Sequence, residues 1–340
     1  MNIPNINAWF LDIYIRHIEP FLTWRVLGVC IFLCHPVHAE PTDSPTALSG
    51  PLGVVYPETR EPYRQIFLSI LQGIEEAYHG QVISRELASD YKLAELEVWL
   101  KRNEYQQVIA LGQRGMHSMA DVKAPPRTVI GAALISPSES KYSGISLVPS
   151  PLRIVPLVRK LVPQVKRIYV IGDISEQWIF DRSKEIFTDE TLELVLIQAN
   201  TIQEVALKYR EVLLNMKSTS DALWISANGI SLANPILNNV LEAAWNNNLV
   251  VFSSNLSDVK RGALFSFYAN NRDMGNELVD FTIKMGRLNE SEVRVVPTES
   301  VSVALNIRTA DHLNLHYDKD SVKIFSLIYP PPSNRYGSTR

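Results

Sequence analysis

The chain has 340 residues, 46% of them hydrophobic and 20% charged, with a formal net charge of −3. That length suggests two domains, and the composition is globular rather than disordered or fibrous. With 33 Lys and Arg against 36 Asp and Glu, and no run of like charge, it excludes a nucleic-acid binder held by a basic face and a polybasic membrane-surface protein.

The N-terminal segment reads as an export signal. Arg16 and Arg25 precede the apolar run from Val26 to Leu33, and Pro36 and Val37-His38-Ala39 follow. A basic flank, a short apolar core and a small residue before the cut describe a secretory signal, and the run is too short to span a bilayer comfortably. Cleavage is expected after Ala39, giving a periplasmic chain; an uncleaved anchor is the alternative. Both cysteines, Cys30 and Cys34, fall in this segment. The mature chain would then have no disulfide, thiol nucleophile or cysteine-bound zinc. Residues 40–51, rich in Pro, Ser and Thr, read as a flexible leader.

Beyond the leader, β-branched runs alternate with amphipathic stretches. Leu52–Tyr56 predicts a strand, and 61–78 a helix with Ile66, Ile70, Leu71, Ile74 and Ala77 on one face. A strand over Gln81–Leu87 follows, then a helix capped by Asp90 and running to Leu100, then strands over Val108–Leu111 and Thr128–Leu134. The pattern restarts at Arg167. Strands are expected over 167–171, 192–197, 221–225, 249–252 and 263–267, with helices over 175–187, 202–216 and 230–245. Residues 330–340 read as a disordered tail. Strands joined by helical crossovers imply parallel sheets covered on both faces. The expected fold class is therefore α/β: two Rossmann-like lobes with parallel sheets around a hinge. One lobe spans 52–165, the other 166–267, and a C-terminal extension covers 314–340.

In such sheets ligands bind beyond the carboxyl ends of the strands. Those ends carry Ser, Asn, Gly and Pro, which suits a hydrogen-bonded small molecule. The candidate ligand contacts are Tyr56, Gln113, Arg114, Ser136, Ser138, Asp173, Asn228, Ser254 and Asn255. Gly112-Gln113-Arg114-Gly115 follows a strand and offers Arg114 to an anion, but it lacks the glycine spacing and lysine of a nucleotide loop. Trp224 reads first as core, then as a pocket wall.

Two catalytic patterns compete with ligand binding. Gly229-Ile230-Ser231-Leu232-Ala233 has the setting of a nucleophile elbow, with Asp258 or Asp273 and then His312 or His316 in the order of a Ser-Asp-His hydrolase. The plainer reading makes Ser231 a helix cap. His312 and His316 stand four apart and would share a helix face suited to a metal; a solvated terminal helix is the plainer reading. The expectation is no catalytic residue, no metal and no cofactor.

Several segments, in order, resemble one family of ABC-importer substrate-binding proteins, which includes receptors for tryptophan or tyrosine uptake. Leu161 to Gly172 is similar to the family's ILPNAKRIGVLY, and Asp258 to Ala263 (DVKRGA) to its SVKRGA. Phe267-Tyr268 with Asp273-Met274-Gly275 resembles DYYDLG. Residues 280–287 resemble MAAKILKG, and 304–313 resemble VVNLKTAKAL. The resemblance implies the type I periplasmic-binding-protein fold, with part of 268–313 returning to the N-terminal lobe. It also implies a monomer that captures a small solute by hinge closure and docks on a membrane permease; a receptor serving a membrane histidine kinase is the alternative. Asn228 and Asn255 stand where amino-acid receptors of the family carry acids. An amide cannot supply the charge that pairs with an ammonium group. These departures turn the expectation toward a neutral polar or anionic solute.

Overall fold

The computed structural model describes residues 50–172, 174–186, 192–227, 234–287 and 292–331. The expected signal with its cut at Ala39, Cys30 and Cys34, Asp173, Asn228, Ser231 and the tail from 332 lie outside the described residues.

In chain order the first half comprises β1 (Leu52–Pro57), α1 (Tyr63–Ala77), β2 (Val82–Leu87), α2 (Leu93–Arg102), β3 (Gln107–Leu111), α3 (Gly112–Asp121), β4 (Arg127–Ala133), β5 (Ser143–Pro149) and α4 (Pro151–Leu161). Then come β6 (Arg167–Gly172), a 3-10 turn at Ile174–Glu176, α5 (Gln177–Ile186), β7 (Glu193–Gln198), α6 (Ile202–Asn215), β8 (Asp221–Ile225), α7 (Asn234–Asn246), β9 (Val250–Ser253) and α8 (Leu256–Arg261). The chain closes with β10 (Phe265–Ala269), α9 (Asn271–Arg287), β11 (Val295–Thr298), β12 (Val301–Asn306), α10 (Ile307–His312), α11 (Lys319–Val322) and β13 (Phe325–Tyr329).

Two sheets result, each the centre of a lobe. The first has the order β11-β5-β4-β3-β1-β2 and is parallel throughout. The second has the order β13-β12-β10-β9-β8-β6-β7. It is parallel except where β12 runs antiparallel to β10. Central strands such as β3 (QVIAL) and β8 (DALWI) are buried along their whole length. Continuous apolar runs of this kind belong to strands covered on both faces.

Each sheet accordingly has two cores. In the first lobe one core joins the sheet to α1 and α9 through Ile70, Ile74, Met274 and Leu278; the other joins it to α2 and α3 through Leu96, Leu100 and Met119. In the second lobe one core takes Ile154, Val158, Phe180 and Trp224, the other Val205, Tyr209, Leu237 and Val240. The expected cap at Asp90 is not formed. The helix starts at Leu93, because Tyr91 N–H bonds back to Ala88 O at 3.3 Å and spends Asp90 in a turn.

The α1–α9 crossing is very close. A Cβ on Gly73 would collide with the Arg272 carbonyl, and one on Gly275 would collide with Ile70 O and lie 2.7 Å from Ile74 N. The same pair is tied by Arg272, which donates to both carboxylate oxygens of Glu76 at 2.6 and 2.7 Å.

The chain passes between the lobes three times. It leaves the first sheet at Pro149 and enters α4, whose apolar face packs in the second lobe. It returns between β10 and α9, and crosses again between β11 and β12. The three passages are stitched together. Ser150 N–H donates to Thr298 O and Asn270 N–H to Ser300 O, each at 2.9 Å. Glu277 on α9 accepts from Thr298 Oγ1 at 2.8 Å, Glu299 N–H at 3.0 Å and Ser300 N–H at 3.2 Å. Arg153 pairs with Glu299 at 3.0 Å.

Candidate functional site

The carboxyl ends of the strands carry the candidate site. In the first lobe Tyr56 ends β1, half-buried, with its ring stacked on Phe67 at 6.5 Å. Burial pushes its hydroxyl pKa up, with the Glu86 carboxylate adding and Arg64 opposing. Gln113 is exposed in the first turn of α3 and donates to Leu134 O at 3.4 Å. That turn needs a glycine: Gly112 has φ +69 and lies against Phe67. Arg114 does not stand open. Its Nη1 donates to Glu58 O at 3.1 Å and Leu87 O at 3.0 Å, bracing the segments that follow β1 and β2. Ser136 is 1% exposed and donates to Glu139 at 2.8 Å, with Ser138 Oγ 3.2 Å away at the surface.

In the second lobe Ser254 and Asn255 follow β9. Ser254 Oγ accepts from the buried indole N–H of Trp224 at 2.9 Å, so Trp224 is core, as its first reading had it. Asn255 caps α8, accepting from Ser257 N–H at 3.1 Å and Ser257 Oγ at 3.0 Å. Its amide oxygen is thereby used within the loop.

Carboxylates do sit at this edge, at positions the sequence did not single out as ligand contacts. Glu176, fully buried after β6, accepts from Ser226 Oγ at 2.5 Å at the end of β8. Asp258, 3% exposed, accepts from Ser253 Oγ at 2.7 Å and Ser257 Oγ at 3.3 Å. Burial pushes the Asp258 carboxyl up, against those two hydrogen bonds and the charge of Arg261. Tyr209 on α6 is raised mainly by burial, and then by the charges of Glu176 and Asp258. The signal that would have found Glu176 is Ser-Glu-Gln-Trp directly after a predicted strand end: an acid and an aromatic in one turn at the cleft edge.

The shift of Asp258 has a measurable consequence. A folded-state pKa above the ordinary 3.8 means the native state holds that proton more tightly. Stability is then lost as pH rises from 3.8 through the raised value. Asp258→Asn does not titrate, so its stability relative to wild type should improve across that window. Denaturant midpoints on either side of it are the check; a pH-independent difference would contradict the shift.

Trp178, in the first turn of α5, is where the lobes meet at this edge. Its ring packs against the second-lobe cluster of α4 and α5 and against the first-lobe cluster that includes Ala133 and Ile135 at the end of β4. Trp178 therefore bridges the two lobes from the turn after β6. A cavity of about 340 Å³ also exists, but it lies between α6 and α7, lined by Tyr209, Leu213, Ile236 and Val240, on the flank of the second lobe. It is not at the strand ends, where a solute is expected.

The catalytic alternatives find no support in the described residues. Asp258 is held by serines, and His312 is stacked on Trp245 at 3.7 Å with its Nε2 2.9 Å from Trp245 O. The His312–His316 pair does not share a helix. α10 ends at His312 and Asn314 turns to φ 55, so the chain leaves the helix before His316. Among the described residues there is no group of three or more His, Cys, Asp or Glu placed to hold a metal. None of their helices is long and apolar enough to cross a membrane.

Comparison with known proteins agrees with this geometry. The ABC domain in complex with L-Trp from Streptococcus pneumonia superposes with a TM-score of 0.50 at 16% identity, covering 82% of this chain and 99% of that one. The ligand-free, open structure of a substrate-binding protein with adhesive properties from Clostridium difficile gives 0.56 at 13% identity, covering 82% and 98%. At these identities the likeness shows the fold, that of type I periplasmic-binding-like proteins. No curated protein sequence matches significantly. The profile described as ABC transporter substrate binding protein matches residues 128–324, more than half of the sequence, from β4 through α11 and up to the start of β13. The chain belongs to the ABC transporter substrate-binding protein family.

Proposed function

We propose that the chain is the periplasmic receptor of an ABC-type importer, a monomer that closes its lobes on a small polar solute and presents it to a membrane permease. No bond is made or broken in this role. The observation that carries the reading is the three stitched crossings between two lobes that Trp178 bridges after β6. Three short passages permit rotation of one lobe against the other, while Glu277 and Ser150 keep them in register. Closure about such passages is a common way for a solute to be enclosed.

Because the Streptococcus relative was crystallised with L-Trp, L-tryptophan is the first solute to test, followed by other amino acids, purines, sugars and organic acids. A solute at about 100 times its dissociation constant should add roughly 2.7 kcal/mol of stability. Melting temperature should rise, and X-ray scattering should show a smaller radius of gyration with that solute. A panel in which no member produces either change would refute the receptor reading.

A further inference from the structure

Trp178 has a feature that its packing role does not explain. Its indole Nε1 is buried and has no hydrogen-bond partner among the described residues. Buried tryptophan N–H groups usually find an acceptor, because leaving one without a partner is costly. The same lobe shows the usual outcome: Trp224 Nε1 donates to Ser254 Oγ at 2.9 Å. Trp178 is placed differently. It follows β6 at the carboxyl edge of its sheet and touches the hydrophobic clusters of both lobes. A buried donor without an acceptor among the described residues, at the seam between the lobes, is a group that an enclosed solute could satisfy.

We propose that Trp178 is a solute-recognition residue of the cleft, its ring spanning the two lobes and its indole N–H donating to an acceptor oxygen or nitrogen on the bound molecule. This rests on the receptor reading above and narrows it. The solute must carry an acceptor such as a carbonyl, carboxylate or ring nitrogen, and must reach the turn after β6. Enclosure completes the hydrogen bond, so recognition and closure are linked in one residue.

The experiment uses the full mature chain and a panel of L-tryptophan, adenine, D-glucose and succinate, titrated calorimetrically against wild type and Trp178→Phe. Phenylalanine keeps an aromatic ring at the seam and removes the donor. Any solute that binds wild type should bind Trp178→Phe about fivefold to tenfold more weakly. A second readout is made on wild type itself, with the variant used only to assign one peak. In ¹H–¹⁵N spectra of wild type, the indole cross-peak absent from the Trp178→Phe spectrum should move downfield on saturation with that solute. Equal affinity in the variant, or an unmoved Trp178 cross-peak, overturns this proposal and leaves the receptor reading standing. If no panel member binds wild type, both fall together.

Discussion

Gly275→Ala should lower the unfolding free energy by about 2–3 kcal/mol, although alanine is the better helix former. In an unconstrained helix the exchange stabilises by roughly 0.5–1 kcal/mol. Here the added methyl meets backbone: the Ile70 carbonyl, and Ile74 N at 2.7 Å. Backbone cannot swing aside as a side-chain tip does, so α1 and α9 must separate along their whole contact. That separation opens the core of Ile70, Ile74, Met274 and Leu278 and strains the Arg272–Glu76 pair. Overpacking of this kind costs about 1–3 kcal/mol, sometimes more. Gly73→Ala meets the Arg272 carbonyl at the same crossing and should cost a similar amount. The double variant should lose less than the sum, since one displacement of the helices relieves both collisions. Chemical unfolding is the measurement. A stabilised Gly275→Ala protein would show that the helices do not cross this closely.

The second large effect is expected at the crossings. Glu277→Ala removes an acceptor of three hydrogen bonds, two of them from backbone N–H groups of Glu299 and Ser300. Hydrogen bonds to a charged group contribute about 1.5–3 kcal/mol each in favourable settings. Glu277 is half-buried and the three bonds share one carboxylate, so a total loss of about 2–4 kcal/mol is expected rather than the full sum. Glu277→Gln keeps one acceptor oxygen and should recover part of it. The loss should be local as well as global: amide hydrogen exchange at Glu299 and Ser300 should quicken more than in β3 or β8. Unchanged exchange at those two amides would remove Glu277 from its stitching role.

Much of the architecture was legible because buried parallel strands announce themselves. The runs LGVVY, VIAL, RIYVI, DALWI and LVVF each became a strand within a residue or two of its expected bounds. What stayed hidden had a physical reason. Residues 151–161 contain Pro151 and Pro156, and a proline inside a helix lacks the N–H the ladder needs. The segment is helical all the same, because Ile154, Val155, Val158 and Leu161 bury together in the second lobe. β5 and β13 contain serines that pattern reading counts as loop; Ser146 is nevertheless fully buried and donated to by Ile135 and Val148 N–H. β12 could not be seen as antiparallel, since direction is set by the third crossing and not by its own residues. At the candidate site, strand ends could be located but side-chain partners could not. The sequence offered Arg114 to an anion and could not show that its Nη1 also bonds the Glu58 and Leu87 carbonyls. Glu176 follows a strand end that was legible, but that it and Asp258 are buried there is a property of the packing and not of their spacing.

The third crossing also governs the order in which the molecule can be finished. The first sheet receives its edge strand β11 at Val295–Thr298, and Val295 completes the core under α2 and α3. The second sheet receives β12 and β13 later still, with Val303, Leu305 and Phe325 filling its core. A chain emerging N-terminus first therefore holds two unfinished sheets until residues 295–298 close the first and 301–329 close the second. Folding is dominated by such long-range pairings, which are slow to close. The connectivity makes completion of both cores depend on the C-terminal strands β11, β12 and β13.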